Sequence, residues 1–264
     1  MMAIQSVDRA LQILNLFSHR VPVLGVTEIS RAVGLSKGTV HGLIRTLLQQ
    51  GFLQQDSATR KYRLGLKIYE LGIIWAGTLE INQKSAGPMN QLAKETLLEC
   101  RLAIWDGDSM VITSTVHPRA RAVLPHQFGP RVHAYCSAIG KAVLAFMDDA
   151  QVERYLKRTQ FTAFTPNTVT DRQQLLEDLV QTRQRGYAFD REEAVQGLSC
   201  IGAPIYQRSG QVAGALSVSG GTQRVMGDKM EGFALALMNT AAEISRYMGY
   251  FPGYGDTAAA DRPR

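Results

Sequence analysis

Residues 25–50 read GVTEISRAVGLSKGTVHGLIRTLLQQ, and the reading of this stretch decides the architecture of the front of the chain. A first short helix is expected from Thr27 to Val33, with the Thr27 hydroxyl as N-cap and Glu28 at its positive end. Ile29, Ala32 and Val33 fall on one face. Gly34 tolerates the left-handed conformation of a tight turn, and Ser36 supplies a second N-cap. Val40, Leu43 and Leu47 then recur as the inward stripe of a second helix. Its outer face carries Ser36, Lys37, Gly38, Thr39, His41 and Arg45, which are short polar groups and cations gathered at the amino end. A recognition helix presents that end to base edges and phosphates, so the stretch implies a helix-turn-helix that reads double-stranded DNA. The blander reading is an ordinary helical hairpin.

The flanking segments support the DNA-binding reading. A preceding helix from Ser6 to Ser18 has Val7, Leu11 and Leu14 on one face with Phe17 closing it, and Pro22 marks a break. After Gly51, Phe52 and Leu53 begin a strand, 56–59 has turn composition, and Tyr62 and Leu64 alternate as a returning strand. That is a wing, with Arg60 and Lys61 at its tip for backbone phosphates. Residues 1–67 carry nine Lys or Arg against three acids, whereas the whole chain is also +6, so the remainder is neutral. A basic front joined to a neutral body places phosphate contacts in residues 1–65 and a different task beyond them.

At 264 residues the chain accommodates two cores. No run reaches the length of a membrane span and the first residues do not read as a signal peptide, so a cytoplasmic protein is expected. Cys100, Cys136 and Cys200 are far apart, without a CxxC pair, which argues against a disulfide framework or a cysteine-rich metal site. Residues 66–80 are apolar on more than one side, with Ile68, Leu71 and Trp75 in one line beside Ile73 and Ile74. So much apolar surface predicts a linker helix that pairs with its copy in a homodimer. A helix is expected from Pro88 to Glu99, with the proline in its first turn. Strands are then expected over 101–116, 187–189, 198–206 and 211–219, with helices over 137–147, 172–185 and 228–248. The class is α+β with a central antiparallel sheet over 81–250, followed by a disordered tail at 251–264.

SVDRALQILNLF, EISRAVGLSKGTVHGLIRTLLQQGFL, YRLG, SAIGKAVLA and RGYAFDREEAVQGLSCIGAPI occur in this order. Together they resemble the successive signatures of IclR-type transcriptional regulators, from about Ser6 to Tyr250. The resemblance implies a winged helix-turn-helix, a GAF-like effector-binding domain, dimers that often pair into tetramers, and control of catabolic operons by small organic acids. It also implies an effector pocket at the two residues ahead of the GK pair, Ala138 and Ile139, with Asp190, Cys200, Ser217 and Ser219. Ile139 is bulkier than some relatives carry there.

The residues bear on such a pocket independently. Ser137 opens a helix whose first amides belong to Ala138 and Ile139, which either attracts an anion or is simply capped by the serine. Alternation puts Ala213, Ala215, Ser217 and Ser219 on one face of the last strand and Val212, Leu216 and Val218 on the other. The small polar face either lines a ligand or meets solvent. Leu198, Cys200 and Gly202 share a face of the preceding strand, where a lone cysteine commonly acts as a small hydrophobe. Asp190 can cap a loop, form an ion pair, or accept a hydrogen bond from an effector. A hydrolase domain fused to the DNA-binding module is the alternative. It lacks a GxSxG elbow, and none of His19, His41, His117, His126 and His133 sits in a recognisable triad setting. His126, His133 and Cys136 match no metal-site spacing, so neither a metal nor another cofactor is expected.

Overall fold

A computed structural model describes residues 4–118 and 129–252. The disordered tail expected at 251–264 and the histidine at position 126 fall largely or wholly outside the described residues. The chain divides into two compact units, the first ending at Thr78 and the second beginning at Leu79.

The first unit contains α1 (Gln5–Asn15), α2 (Val26–Val33), α3 (Lys37–Gln49), β1 (Leu53–Gln55), β2 (Tyr62–Leu64) and α4 (Leu66–Thr78). Its small core joins Ile13, Phe17, Ile29, Val40, Ile44, Leu47, Leu53 and Tyr62. The inward face of α1 differs from the expected one. Ile13 is buried, with Ala10 and Leu14 packed beside it, whereas Val7 and Leu11 are each 53% exposed. The helix has two apolar stripes, and the periodicity alone did not choose between them.

Gly25, rather than Thr27, caps α2, because Glu28 Oε2 accepts the Gly25 amide at 2.6 Å and Thr27 lies inside the helix. Ala32 is also turned outward, leaving Ile29 and Val33 on the core side. Gly34 ends the helix at φ 65°, and the Ser36 hydroxyl caps α3 by accepting the Thr39 amide at 3.2 Å, as the pattern predicts. β1 and β2 pair antiparallel, and a bridge from Leu24 to Tyr62 adds a third short segment to the wing. None of the residues of α4 is buried within the chain.

The second unit begins with α5 (Glu80–Thr96), which runs through Pro88 instead of starting there. An interior proline costs about 3 kcal/mol relative to alanine. Burial of Ile81, Met89, Leu92 and Ala93 on either side of it offsets that cost. There follow β3 (Glu99–Trp105), β4 (Met110–Val116), β5 (Arg131–Val132), a 3₁₀ turn at Ala134–Cys136, α6 (Ala138–Leu144), α7 (Asp149–Arg158) and α8 (Arg172–Arg185). The chain closes with β6 (Ala188–Arg191), β7 (Leu198–Tyr206), β8 (Val212–Gly221), α9 (Thr222–Val225) and α10 (Met230–Tyr247). The sheet is antiparallel throughout, in the order β5-β4-β3-β8-β7-β6.

Two cores flank this sheet. Leu102, Ile201, Leu216 and Val218 meet α5 and α10 on one face. On the other, Ala103, Ala188 and Ala215 meet α6, α7 and α8. Irregular pairing between Ile205 and Tyr206 shifts the alternation at the start of β8. Val212 therefore packs on the α6 side and Ala213 on the α10 side, the reverse of strict alternation, while Ala215, Ser217 and Ser219 keep the face expected of them.

Candidate functional site

The outer face of α3 is polar and open. Ser36, Lys37, Gly38, Thr39, His41 and Arg45 are all exposed, so the structure leaves every one of these predicted residues accessible. Ser36 is occupied as the cap and also hydrogen-bonds the Thr39 hydroxyl at 3.0 Å. Gly38, His41, Gly42 and Arg45 follow the one-face spacing of a helix and line a concavity of about 380 Å³, whose inner wall includes Ile44, Leu48 and Tyr62. Gly42 was not singled out from the sequence. A Cβ at Gly42 would meet nothing within 4 Å and one at Gly38 only the Ser36 Oγ at 3.9 Å, an ordinary contact, so packing does not demand these residues. Each interior glycine costs a helix about 1 kcal/mol. What the pair provides is a surface without side chains between two polar groups, suited to close approach.

At the wing, the Asp56 carboxylate holds the turn by accepting the amides of Ala58 and Thr59 at 3.1 and 2.7 Å, and these bonds keep its pKa below the usual carboxylate value. Arg60 sits at the tip in a left-handed conformation, φ 58°. Lys61 is set back from the tip. Its ammonium lies 3.9 Å from Glu28 at the amino end of α2, a half-exposed pair worth little in water.

In the second unit, the register gathers the predicted effector residues. Asp190 pairs with Cys200, and Cys200 with Ser219, forming one row across β6, β7 and β8. The adjacent row runs from Ala188 through Gly202 to Ser217. Ser217 and Ser219 are 3% and 5% exposed, so this face is buried rather than solvated. Gly202 admits α6: a Cβ there would stand 2.4 Å from the Ala138 carbonyl oxygen and 2.9 Å from the Ile139 amide nitrogen. Ala138 and Ile139 are thereby brought over the row. Ser137 caps α6, accepting the Gly140 amide at 3.2 Å and donating to the His133 carbonyl at 2.7 Å.

Asp190 Oδ1 accepts the Glu193 amide at 2.7 Å, so one carboxylate oxygen holds the turn after β6. Burial, aided by the Glu193 charge, raises the Asp190 pKa to about 7 against the backbone amides and Lys141, which lower it. An ion network not foreseen from the sequence lies behind the site. Lys141 Nζ, on α6, meets Asp178 Oδ2 at 2.6 Å and Glu193 Oε1 at 2.7 Å. The signal was a lysine in a run of apolar residues, SAIGKAVLA, whose every helical member is buried.

Burial pushes the thiols of Cys100, Cys136 and Cys200 up to about 12, so none is a thiolate near neutral pH and none is poised as a nucleophile. No helix among the described residues is long and apolar enough to cross a membrane.

Residues 6–57 match the IclR helix-turn-helix domain, and residues 75–246 match the bacterial transcriptional regulator IclR C-terminal domain. The chain is 38% identical over 247 residues to the HTH-type transcriptional regulator XynR of Escherichia coli, covering 94% of this chain and 98% of that protein. It is 32% identical to KdgR of the same organism, covering 86% of each. Among solved structures, the Thermotoga maritima IclR superposes with a TM-score of 0.74 at 28% identity, over 94% of this chain and all of that one. An IclR homologue from Microbacterium hydrocarbonoxydans, complexed with 4-hydroxybenzoate, shares the fold with a TM-score of 0.78 at 20% identity, over 92% and 98% of the two chains. With both of its units matched, and with a helix-turn-helix and a second α+β domain in the observed order, this chain belongs to the IclR family of DNA-binding bacterial transcriptional regulators.

Proposed function

We propose that the chain controls a catabolic operon from the cytoplasm, and that a small organic acid held by Ala138, Ile139, Asp190, Cys200, Ser217 and Ser219 modulates its grip on a palindromic operator. The observation that carries the effector reading is the buried polar row Asp190–Cys200–Ser219, which interrupts a face otherwise packed by alanines and large apolar groups. Buried hydroxyls and a carboxyl in one row provide donors and acceptors for a small polar molecule.

The DNA contacts assigned here are Ser36, Lys37, Gly38, Thr39, His41 and Arg45 on α3, with Arg60 and Lys61 on the wing. The exposed apolar residues of α4, among them Leu66, Tyr69, Ile73 and Ile74, support a homodimer, which can pair again into a tetramer. A dimer sets two recognition helices into major grooves about 34 Å apart. The effector acts by binding one arrangement of the dimer more tightly than another. The 4-hydroxybenzoate complex of the fold neighbour is consistent with a carboxylate ligand.

A thermal-shift screen of aliphatic and aromatic carboxylates tests the effector, since a ligand of the folded state raises Tm. The hit is expected to change footprinting on the operator. Loss of footprinting in Arg45→Ala, with the Tm response intact, supports the division of labour. An effector response that survives both Asp190→Ala and Ser219→Ala excludes this pocket.

A further inference from the structure

The same sheet face continues beyond the predicted residues onto β3. Ser219 pairs with Glu99, and Ser217 pairs with Arg101, which in turn pairs with Thr115 on β4. The neighbours Cys100 and Leu102 enter the core beneath α5 and α10, so Glu99 and Arg101 share the face of the two serines. Their side chains are 21% and 20% exposed.

The bonding within this extension is incomplete. Arg101 Nε donates to Glu99 Oε1, and Glu99 Oε2 lies 2.9 Å from His117 Nδ1. Among the described residues, the two terminal amino groups of Arg101 meet no acceptor. The hydroxyl of Thr115, its partner in register, is buried without a hydrogen-bond partner. An arginine side chain four-fifths covered, with its terminal amino groups still open, presents paired N–H donors, the geometry that grips a carboxylate through two parallel bonds. Ser217 and Thr115 flank it with hydroxyls.

We propose that Arg101 is the carboxylate anchor of the effector site, held by Glu99 through Nε while its terminal amino groups take the ligand. The inference rests on the effector reading above and adds an orientation to it. β3 and β6 are three strand spacings apart, about 14 Å between backbones, with Arg101 at one side and Asp190 at the other. The reach of both side chains shortens that span to one that a short hydroxy acid bridges. Its carboxylate faces Arg101 and its hydroxyls face Ser219 and Asp190. A neutral polyol fills the same space without using the cation.

Calorimetry on the full-length protein with pyruvate, D-glycerate, D-gluconate and 4-hydroxybenzoate tests this, with glycerol and 4-hydroxybenzamide as uncharged counterparts. Acids that bind the wild-type chain are expected to bind Arg101→Gln more than tenfold more weakly and Arg101→Lys with a smaller loss. Glu99→Gln, which removes a competing charge and keeps an oxygen for Nε, is expected to tighten them. The uncharged counterparts are expected to distinguish none of these variants. Unchanged affinity in Arg101→Gln together with a tenfold loss in Ser219→Ala overturns the anchor and leaves the effector site standing. Weaker binding in Glu99→Gln makes the ion pair a structural one and also overturns the anchor. Failure of every acid to bind the wild-type chain removes the effector reading and the anchor together. Where Arg101→Gln does not fold, the Lys and Glu99→Gln variants decide.

Discussion

The ammonium of Lys141 stands 2.7 Å from Glu193 Oε1, although the two side chains are only 1% and 8% exposed. Glu193 in turn donates its amide to Asp190, so a charge inside α6 is tied to the turn that holds the carboxyl of the proposed effector site. Asp178 takes the other side of the ammonium and also accepts from Arg185 at 3.1 Å. Burial raises the Asp178 pKa, but the two cations outweigh that effect and leave it below the usual value.

Lys141→Met removes the cation and leaves two carboxylates facing each other in a site with little water. Breaking a buried pair in this way costs about 3–5 kcal/mol. Urea denaturation is expected to show a loss of that size, and adding Glu193→Gln to the same chain is expected to restore part of it. A loss below about 1 kcal/mol contradicts the assignment of Lys141 as the centre of the network.

Asp190 gives stability a pH dependence of definite sign. Its folded pKa is about 7, raised chiefly by burial. The unfolded value is about 3.9. Between these values the folded chain holds a proton that the unfolded chain has lost, so the residue's contribution is full below about pH 4 and lost as pH rises through about 7. Asp190→Asn does not titrate. Its Tm is expected to exceed that of the wild-type chain at pH 8, with the gap shrinking steadily toward pH 5. A gap independent of pH is the contrary result.

Gly202→Ala would drive a methyl group into the Ala138 carbonyl, a backbone atom that cannot rotate aside. Overpacking of this kind costs about 1–3 kcal/mol. The amino end of α6 is expected to move, so carboxylate binding by thermal shift should fall together with stability. The helix-turn-helix unit should retain its circular-dichroism signature.

Gly42→Ala makes the opposite trade. With open space around the new methyl group, α3 is expected to gain about 1 kcal/mol. Operator affinity is expected to drop in a gel-shift titration because the side-chain-free surface between His41 and Arg45 is lost. A variant that is more stable and binds DNA as tightly as before removes Gly42 from the interface.

Ile74→Glu places a charge among the exposed apolar residues of α4, where Ile74 itself is 63% exposed. Sedimentation is expected to show a lighter species than the wild-type chain, with the fold of each unit intact by circular dichroism. An unchanged mass places the dimer contact elsewhere.

The helix-turn-helix was legible because its signals are local. Gly34 and Ser36 each act within a few residues, and the structure uses both as the pattern predicts. The α2 cap was misread because Glu28 reaches back to the Gly25 amide, and Thr27, the better capping residue by type, lies two positions past the cap. The amphipathic α7 was missed although Val152, Tyr155 and Leu156 carry its signature below an Asp148 cap. Pro88 was read by its local preference, which burial on both sides overrides. Of the residues proposed for the effector, Ser217, Ser219 and Cys200 were placed on their faces by alternation, since parity survives wherever pairing is regular. Arg101 and Glu99 were overlooked because their meaning depends on pairing with β8, far away in sequence.

That pairing has a consequence for the order of events during synthesis. The middle of the sheet joins its first long strand to its last, Leu102 against Leu216, with every other strand hung on one side or the other. The β3–β8 pair that joins the two sides of this sheet waits until β8 has left the ribosome, and pairs so distant in sequence form slowly. The helices and wing of the first unit draw on short-range contacts and are complete by Thr78. For most of its translation, then, each nascent chain carries a finished DNA reader and no receptor. An incomplete product released after β7 would carry the helix-turn-helix without the strand that supplies Ser217 and Ser219 to the proposed effector site.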